Sequence, residues 1–500
     1  MKNSASFEQS IPERIIQPLL SASNSCTLEA SLEALIEASK SVEGRSNFAS
    51  QNILPCVLEL IQCLDYTSNN ALQLSSLRLL RNLCAGEIRN QNVFIEQNGV
   101  GVVLSILQNA MLLFDPDRVI IRLGLQVLAN VSLAGEEHQQ AIWHGLFPDK
   151  FVSLARIRYC EISDPLSMIL YNLCSTNSEL VASLCSDVGL PILEEITRTT
   201  TLVGFKEDWV KLLLSRICLE EPYFPRLFSA LRPIDTSKDG GKDMSFSSEQ
   251  AFLLTIISEI LNERIGDISI PKDFASCIHR IFQSSIPIIS STPICERSLP
   301  TGTTAVDVLG YSLNILRDIC AQEDGKEGGH KDVSKDAVDV LLSLGLIDLL
   351  LGILRDIEPP AIVKKAIQQA ENENRTDLPN TSKSCPCPYK GFRRDIVAVI
   401  ANCLYRKKHV QDDIRKKNGV FVLLQQCVVD ENNPFLREWG IWAVRNLLEG
   451  NLENKKLVAE LEVQGPVNMP EIAELGLQVE VDPKTKAAKL VNASRPFKDN

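Results

Sequence analysis

The stretch LRLLRNLCAG (Leu77–Gly86) carries a pattern that returns five more times along the chain. The other copies read LQVLANVSLAG (Leu125–Gly135), LSMILYNLCS (Leu166–Ser175), YSLNILRDIC (Tyr311–Cys320), IVAVIANCLY (Ile396–Tyr405) and IWAVRNLLEG (Ile441–Gly450). When the copies are aligned on their shared polar residue, the positions three before, two before and one after it are apolar or Cys in all six. Offsets −3 and +1 lie four residues apart and stack on one helix face, so the pattern predicts helices rather than strands.

The shared polar residue is an Asn in five copies and an Asp in one: Asn82, Asn130, Asn172, Asp318, Asn402 and Asn446. Neighbouring copies are spaced by 48, 42 and 44 residues, and Asp318 precedes Asn402 by 84. Periods of about 40–47 residues are typical of HEAT and armadillo repeats. The sequence therefore predicts an all-α, armadillo/HEAT-like α-solenoid of about eight to ten units. A Gly that follows each shared residue predicts a helix end or a sharp bend before the next helix.

The composition supports stacked aliphatic helices. Hydrophobic residues make up 45% of the 500-residue chain and aromatic residues only 6%, which argues against disorder and mildly against β-sandwiches. The net charge of −12 argues against coating of nucleic acid, which needs Lys and Arg to replace counterions. The longest apolar stretch, Val340–Leu354, is interrupted by polar residues, so no membrane insertion is expected. Fifteen dispersed Cys and a polar Met1–Ser10 predict free thiols in the cytosol.

The predicted organisation has six parts, separated where Gly, Pro and charged residues accumulate. They are repeats over 1–234, a linker over 235–248, further repeats over 249–358, a flexible insertion over 359–390, a C-terminal domain over 391–465 and a tail over 466–500. Within the tail, Leu477, Val479 and Val481 alternate with polar residues before a Pro-containing turn, which predicts a short β-hairpin.

The C-terminal domain carries a resemblance to a known family. The run from Cys387 to Gly465 contains YKGFRRDIVAVIANC, HVQDDI followed by NGV, and NPFLREWGIWAVRNLLEGN. These segments resemble the C-terminal domain of the ataxin-10 family. The resemblance implies an armadillo-repeat, non-enzymatic protein that contacts other proteins and takes part in cytokinesis or cell survival. The family offers no catalytic residues to carry over, so we expect neither an enzyme nor a cofactor.

The shared Asn residues are candidates for protein interaction. In peptide-binding armadillo proteins such an Asn bonds the backbone of an extended peptide, and a Trp four residues earlier packs its side chains. Here the only Trp at that place is Trp442, beside Asn446; the other copies have Arg78, Gln126, Met168, Asn314 and Ala398. An importin-like cargo receptor is therefore an alternative that the missing Trp residues oppose. Asn82, Asn130, Asn172 and Asn402 could equally hold the inter-helix loops through side-chain to backbone bonds.

A basic segment, Tyr389–Lys417, has nine Lys or Arg against three Asp. It is a candidate dock for acidic or phosphorylated protein segments. From Lys408 onward the charges also fit internal i,i+4 pairs, namely Lys408–Asp412, Asp412–Lys416 and Asp413–Lys417. Arg393 and Arg394 lack such partners in the sequence, so we expect them to be the better candidates for partner contact.

Cys385 and Cys387 leave a second alternative, a metal-handling protein, because two thiolates suit a soft metal. Structural zinc sites have four ligands. The next His in the sequence, His409, lies 22 residues after Cys387, so no metal site is predicted. Motifs of serine hydrolases, phosphate-binding loops and dinucleotide-binding folds are absent from the sequence.

Overall fold

The structure, a computed structural model, describes residues 11–64, 70–233, 246–264, 267–291, 297–322, 333–374, 385–461, 477–481 and 488–492. The chain forms two compact units, Met1–Phe274 (unit 1) and Ala275–Asn500 (unit 2). The six-part organisation predicted from the sequence stays a prediction. The predicted linker lies mostly outside the described residues, since only its last positions are described.

Unit 1 is built from short helices. They are α1 (Glu13–Ser23), α2 (Leu28–Ala38), α3 (Val42–Ser50), α4 (Ile53–Cys63), α5 (Asn70–Leu83), α6 (Ile88–Glu96), α7 (Gly99–Met111), α8 (Arg118–Ser132), α9 (Glu136–Leu146), α10 (Asp149–Ala155), α11 (Cys160–Cys174), α12 (Ser178–Leu184), α13 (Leu190–Val203), α14 (Trp209–Ser215), α15 (Phe224–Ala230) and α16 (Ser248–Glu263). A π-helical turn, Arg216–Glu220, extends α14. The next helix, α17 (Lys272–Ser285), contains the limit between the units.

Unit 2 continues with helices and ends in two strands. The helices are α18 (Ile288–Ser291), α19 (Thr304–Ala321), α20 (Val333–Ser343), α21 (Leu346–Asp356), α22 (Ala361–Asn374), α23 (Phe392–Leu404), α24 (Lys408–Lys416), α25 (Gly419–Leu424), α26 (Leu436–Leu448) and α27 (Leu452–Ala459). The strands β1 (Leu477–Val481) and β2 (Ala488–Asn492) pair antiparallel, with Leu477 opposite Asn492. The predicted hairpin strands are thereby confirmed.

The six copies of the sequence pattern lie on six helices, which we call the repeat helices: α5, α8 and α11 in unit 1 and α19, α23 and α26 in unit 2. Within each unit they pack in succession, α5 on α8 on α11 and α19 on α23 on α26, and α14 continues the first row. The apolar positions of the pattern are buried in every copy except at Val444, which is half-buried on α26. A single repeat cannot cover its own apolar face, so it buries that face against the helices of the neighbouring repeats.

The Gly residues mark helix starts in most copies, as predicted. At α7 and α25 the sharp bend itself falls on the preceding Asn: Asn98 and Asn418 both have φ 53°. Gly99 is needed for space, because a Cβ there would lie 2.4 Å from the Phe94 ring. Gly145 differs, since it lies inside α9.

One stretch of the predicted flexible insertion is helical. Helix α22 occupies Ala361–Asn374, where Ala, Gln and Lys favour a helix despite the polar composition. Residues 375–384 of that insertion lie outside the described residues.

The fold class predicted from the sequence is confirmed: both units are all-α stacks of armadillo-like helical repeats, apart from the terminal strand pair. Among the described helices, none alone is long and apolar enough to cross a membrane. Residues Ala337–Ser343 and Leu346–Asp356, bent by 58° at a short break, meet the length and composition criteria only when taken as a pair.

Candidate protein-interaction surface

The shared Asn side chains bond their own helices to a helix of the preceding repeat. The amide nitrogen of Asn130 donates to the carbonyl oxygen of Arg81 at 3.0 Å, and that of Asn446 donates to the carbonyl oxygen of Ala401 at 3.0 Å. Asn402 donates to the carbonyl oxygen of Arg317 at 3.2 Å. In these three cases the acceptor is the residue just before the shared position of the preceding copy. Asn82 donates to Ile36 O and Ser39 Oγ, and Asn172 donates to Ser132 Oγ at 2.8 Å.

A set of Gln side chains makes the return connection. Gln91 donates to the carbonyl oxygen of Asn130 at 3.0 Å, Gln139 to that of Asn172 at 3.1 Å, and Gln411 to that of Asn446 at 2.8 Å. Each Gln lies nine residues after the Asn of its own copy. Sequence reasoning missed these residues, although the repeated Asn-to-Gln spacing was there to find. Together the Asn and Gln bonds connect adjacent repeats in both directions.

Two roles are predicted for the Asn residues, contact with a partner and hydrogen bonding inside the protein. The observed bonds distinguish these roles for some of the residues. The amide nitrogens are engaged inside the protein, as the side-chain to backbone alternative predicts, but they bond a helix of the preceding repeat rather than a loop of their own. Asn172 and Asn446 are only 6% and 1% exposed, so the expectation that they face a partner is wrong. Asn82, Asn130 and Asn402 are partly exposed, and partner contact through them stays a prediction.

At two places the residue that stands at the shared Asn position is not an Asn. Arg216, in the π-helical turn after α14, donates its Nε to the carbonyl oxygen of Cys174 at 3.2 Å and takes the place of an Asn. Asp318 cannot donate, because it is a carboxylate; it accepts instead from Arg317 at 2.9 Å. Its other oxygen, Oδ2, is buried without a hydrogen-bond partner. Burial raises the pKa of Asp318 against the opposing effect of Arg317.

The exposed side of the repeat helices in unit 1 holds a groove of about 530 Å³, which we call the unit-1 groove. It runs along α8 and α11 toward α14. Its lining side chains differ in chemistry: Arg81, Arg122, Gln126, Ala129, Asn130, Glu161, Asp164, Pro165, Met168, Lys206, Glu207 and Trp209. A second depression of about 480 Å³ shares Arg122 and Glu161 with it and reaches Leu113, after α7, and Val119, at the start of α8. The two depressions make one continuous surface.

Positive charge is concentrated at the α5 end of this groove. Arg81 donates to Asn82 Oδ1 at 2.9 Å and to Gln126 Oε1 at 3.2 Å, which fixes its guanidinium between α5 and α8. Partial burial, and then the nearby charges of Arg122 and Arg78, lower the pKa of Arg81. Negative charge lies at the α11 end, where Glu161 pairs with Lys206 at 3.3 Å and Asp164 and Glu207 add two further carboxylates.

The structure corrects the expectation that Arg393 lacks partners. Its side chain is 1% exposed, and its guanidinium donates to Gln426 Oε1 at 3.0 Å and to the carbonyl oxygen of Glu358. Burial lowers its pKa. A buried guanidinium needs such acceptors, and the segments that follow α21 and α25 supply them. Arg393 is therefore a core residue rather than a surface dock.

Arg394 is half-buried and also has a partner. Its guanidinium bonds Asp395 at 2.7 Å, and Asp395 accepts in turn from the hydroxyl of Tyr389 at 2.9 Å. Burial raises the pKa of Asp395, while the bonds from Arg394 and Tyr389 oppose that effect. The expectation that Arg394 is unpaired is also wrong, but for a different reason: its partner is the adjacent residue, Asp395.

The rest of the basic segment is a charged surface with internal pairs. The predicted Asp413–Lys417 pair is confirmed at 2.6 Å, and Lys417 also contacts Asp348 at 2.7 Å. Asp412 pairs with Arg415 at 2.9 Å instead of with the predicted Lys408 and Lys416. Arg406 and Lys416 are exposed.

Trp442 is 44% exposed on α26, and the guanidinium of Arg445 lies 4.9 Å from its ring centroid. A cation–π contact of this kind covers one ring face. An interaction role for Trp442 stays a prediction.

Cys385 and Cys387 lie beside α21 and α23. Cys385 forms an isolated bridge with Ile357, and burial raises the pKa of Cys387. Among the described residues, no group of three or more His, Cys, Asp or Glu side chains could hold a metal ion. The two thiols therefore have no third ligand in that part of the chain.

Comparison with known proteins finds similarity to ataxin-10, both in the C-terminal domain and over most of the chain. The model of the spinocerebellar ataxia type 10 protein domain matches residues 392–490. Ataxin-10 of Bos taurus is 25% identical over 417 residues, covering 81% of this chain and 78% of that protein. Ataxin-10 of Homo sapiens is 24% identical over 423 residues, with the same coverage. An ataxin-10 homolog of Dictyostelium discoideum is 37% identical over 111 residues, 22% of this chain and 18% of that protein.

Solved structures that resemble the chain are distant. An engineered protein has a TM-score of 0.34 at 14% identity, covering 87% of this chain and 98% of its own. A designed armadillo repeat protein has a TM-score of 0.30 at 13% identity, covering 49% of this chain and 97% of its own. The fold assignment accordingly stands on the packing of the repeat helices. The C-terminal domain match and the similarity over most of the length together support a relationship of this chain to the ataxin-10 family.

Proposed function

We propose that this protein is a non-enzymatic scaffold that holds partner proteins in the unit-1 groove. The observation that carries the proposal is the groove itself, about 530 Å³ along α8 and α11. Its lining side chains offer charge, amide groups, a thioether and an indole, which is the mixed chemistry that peptide recognition uses. Stacked helical repeats present extended surfaces of this kind, and helical-repeat proteins of this type are generally non-catalytic.

The importin-like alternative is less well supported. A receptor for basic segments needs acidic or aromatic side chains along its groove. Such side chains line only the α11 and α14 end of the unit-1 groove, namely Glu161, Asp164, Glu207 and Trp209. The α5 end carries Arg81 and Arg122, with Arg78 close enough to affect the pKa of Arg81. A basic peptide would meet like charge there.

A groove-filling substitution tests the scaffold proposal. Met168 is partly exposed in the groove, so Met168→Trp fills it without adding charge. The matched control is Gln108→Trp, on the exposed side of α7. Affinity purification of the full chain from its own cells, read by mass spectrometry, should show partners lost with Met168→Trp and retained with Gln108→Trp. Identical partner sets for both variants would refute the groove as the binding surface.

We also propose that the scaffold works in the cytosol and contributes to cytokinesis or cell survival, as the family resemblance implies. Replacing the native chain by the Met168→Trp variant should then raise the fraction of multinucleate or dying cells. The Gln108→Trp replacement should leave that fraction unchanged.

A further inference from the structure

Three arginines form a cluster at the α5 end of the unit-1 groove. Arg78 and Arg81 lie three residues apart on α5, hence on one helix face, and Arg122 lies on the adjacent α8. Arg81 and Arg122 line the groove, and the bond from Arg81 to Gln126 at 3.2 Å joins the two helices. The three side chains are exposed or half-buried, so a ligand can reach them.

None of these three arginines forms an ion pair within the described part of the chain. The acceptors of Arg81 are the neutral side chains of Asn82 and Gln126. The Nε atom of Arg122 is buried and has no hydrogen-bond partner. By contrast, Arg158 and Arg198 in the same unit both pair with Glu195. The cluster therefore holds like charges together without a direct ion-pair partner, which costs stability unless an anion binds.

We propose that Arg78, Arg81 and Arg122 hold the carboxylate side chains of an extended acidic peptide segment of a partner protein. This inference rests on the proposed scaffold function and names the class of partner. Guanidinium groups bind carboxylates through paired, charge-assisted hydrogen bonds. The charge complementarity is local to the α5 end of the groove. Glu161, which lines both depressions with Arg122, is paired with Lys206, and the carboxylates of Asp164 and Glu207 line the rest of the groove.

The shape of the groove favours an extended peptide. Packed helices lie about 8–10 Å apart, and an extended chain advances about 3.3 Å per residue. Acidic residues about three positions apart therefore reach successive repeat helices. Past Arg122 the surface carries the carboxylates of Asp115 and Asp117, so the acidic residues of the peptide end at Arg122. Beside these carboxylates lie Leu113 and Val119, which are 41% and 40% exposed. An apolar residue next to the acidic ones would cover them.

Binding of a defined peptide tests the inference. The probe is a fluorescent peptide of about 12 residues with Glu at every third position and one Leu near its end, and its counterpart has Gln in place of Glu. With the full chain at about 50 mM salt, we expect the Glu peptide to bind and the Gln peptide to bind far more weakly. The double variant Arg81→Gln, Arg122→Gln should weaken binding of the Glu peptide about tenfold or more. Arg122→Lys should retain part of the binding, because it keeps the charge.

The control variant is Arg406→Gln, Lys416→Gln, which removes two exposed positive charges from unit 2. If it weakens binding as much as the groove variant, or if the groove variant binds normally, the inference is wrong. It is also wrong if an RNA oligonucleotide of equal length displaces the peptide from the same arginines. A peptide with phosphoserine in place of Glu is a further test. If it binds more strongly than the Glu peptide, and the groove variant abolishes that binding, the partner is a phosphorylated segment and the stated partner class is wrong.

The outcome separates this inference from the scaffold proposal. If Met168→Trp loses cellular partners while Arg81→Gln, Arg122→Gln keeps them, the groove binds proteins but not through the arginines. If both variants keep them, the scaffold proposal itself fails. Thermal unfolding of each variant, read by circular dichroism, confirms that the variants are folded.

Discussion

The side-chain amide of Gln411 donates to the backbone carbonyl of Asn446 at 2.8 Å, while the side-chain amide of Asn446 donates to the carbonyl of Ala401 at 3.0 Å. Helix α26 is thus bonded both to α24 and to α23. Both side chains are buried, with exposures of 2% and 1%. The same two-way arrangement joins α5, α6 and α8 through Gln91 and Asn130. Gln411 and Asn446 are therefore part of the core of unit 2.

Loss of this connection should destabilise unit 2. We expect Gln411→Ala to lower the free energy of unfolding by about 1–3 kcal/mol, because it leaves the buried carbonyl of Asn446 without its donor. Urea unfolding followed by circular dichroism measures the change. The control is Lys455→Ala on the exposed side of α27, where a change within about 0.5 kcal/mol is expected. Equal effects of the two substitutions would show that the Gln bond contributes nothing.

Arg393 should behave as a core residue. Arg393→Ala removes the donors to Gln426 and Glu358 and leaves a cavity, so we expect a loss of about 2–5 kcal/mol. Lys390→Ala, at an exposed position of the same basic segment, should be nearly neutral. Chemical denaturation of the full chain distinguishes the two. A stable Arg393→Ala protein that loses partners would restore the surface role that the sequence suggested.

Asp318, the one Asp at the shared Asn position, should make the free energy of unfolding depend on pH. Burial raises the pKa of Asp318, so the folded chain holds this proton more tightly than the unfolded chain does. The stability that protonation provides is present at low pH and is lost as the pH rises from the unfolded value, about 3.9, through the folded one. Asp318→Asn should therefore raise the urea midpoint at pH 7, and the gain should shrink toward pH 4. Asp339→Asn, at an exposed position, is the control.

A lower midpoint for Asp318→Asn at pH 7 would contradict this reasoning. It would mean that the ion pair of Asp318 with Arg317, at 2.9 Å, outweighs the cost of burying the carboxylate.

The cysteines should divide by burial. Cys26 and Cys63 are exposed, whereas burial raises the pKa of Cys174 and of Cys185 to about 12. Because the thiolate is the reactive form, maleimide at pH 7 should label the first pair quickly and the second only after unfolding in urea. Peptide mass spectrometry gives the order of labelling. Early labelling of Cys174 would contradict the packing of α11.

The sequence predicted the helices well and the site poorly, for a physical reason. Apolar positions at i and i+4 specify a buried helix face locally, so the repeat helices could be found by alignment of the chain with itself. Partners of a charged side chain come from tertiary packing: Arg393 bonds Gln426, 33 residues away, and Glu358, 35 residues away. The same applies to the arginine cluster, since Arg81 and Arg122 come together only when α5 packs on α8. Arg216 was missed because it replaces an Asn within a π-helical turn.

Oxidative footprinting of the full chain, with and without its purified partners, tests the central claim most directly. Met168 and Trp209 line the unit-1 groove, and Trp442 is an exposed reference in unit 2. Exposed Met and Trp side chains oxidise readily, so protection reports contact. We predict that bound partners slow the oxidation of Met168 and Trp209 and leave that of Trp442 unchanged. Protection of Trp442 with no change at Met168 and Trp209 would contradict the proposal that partners bind in the unit-1 groove.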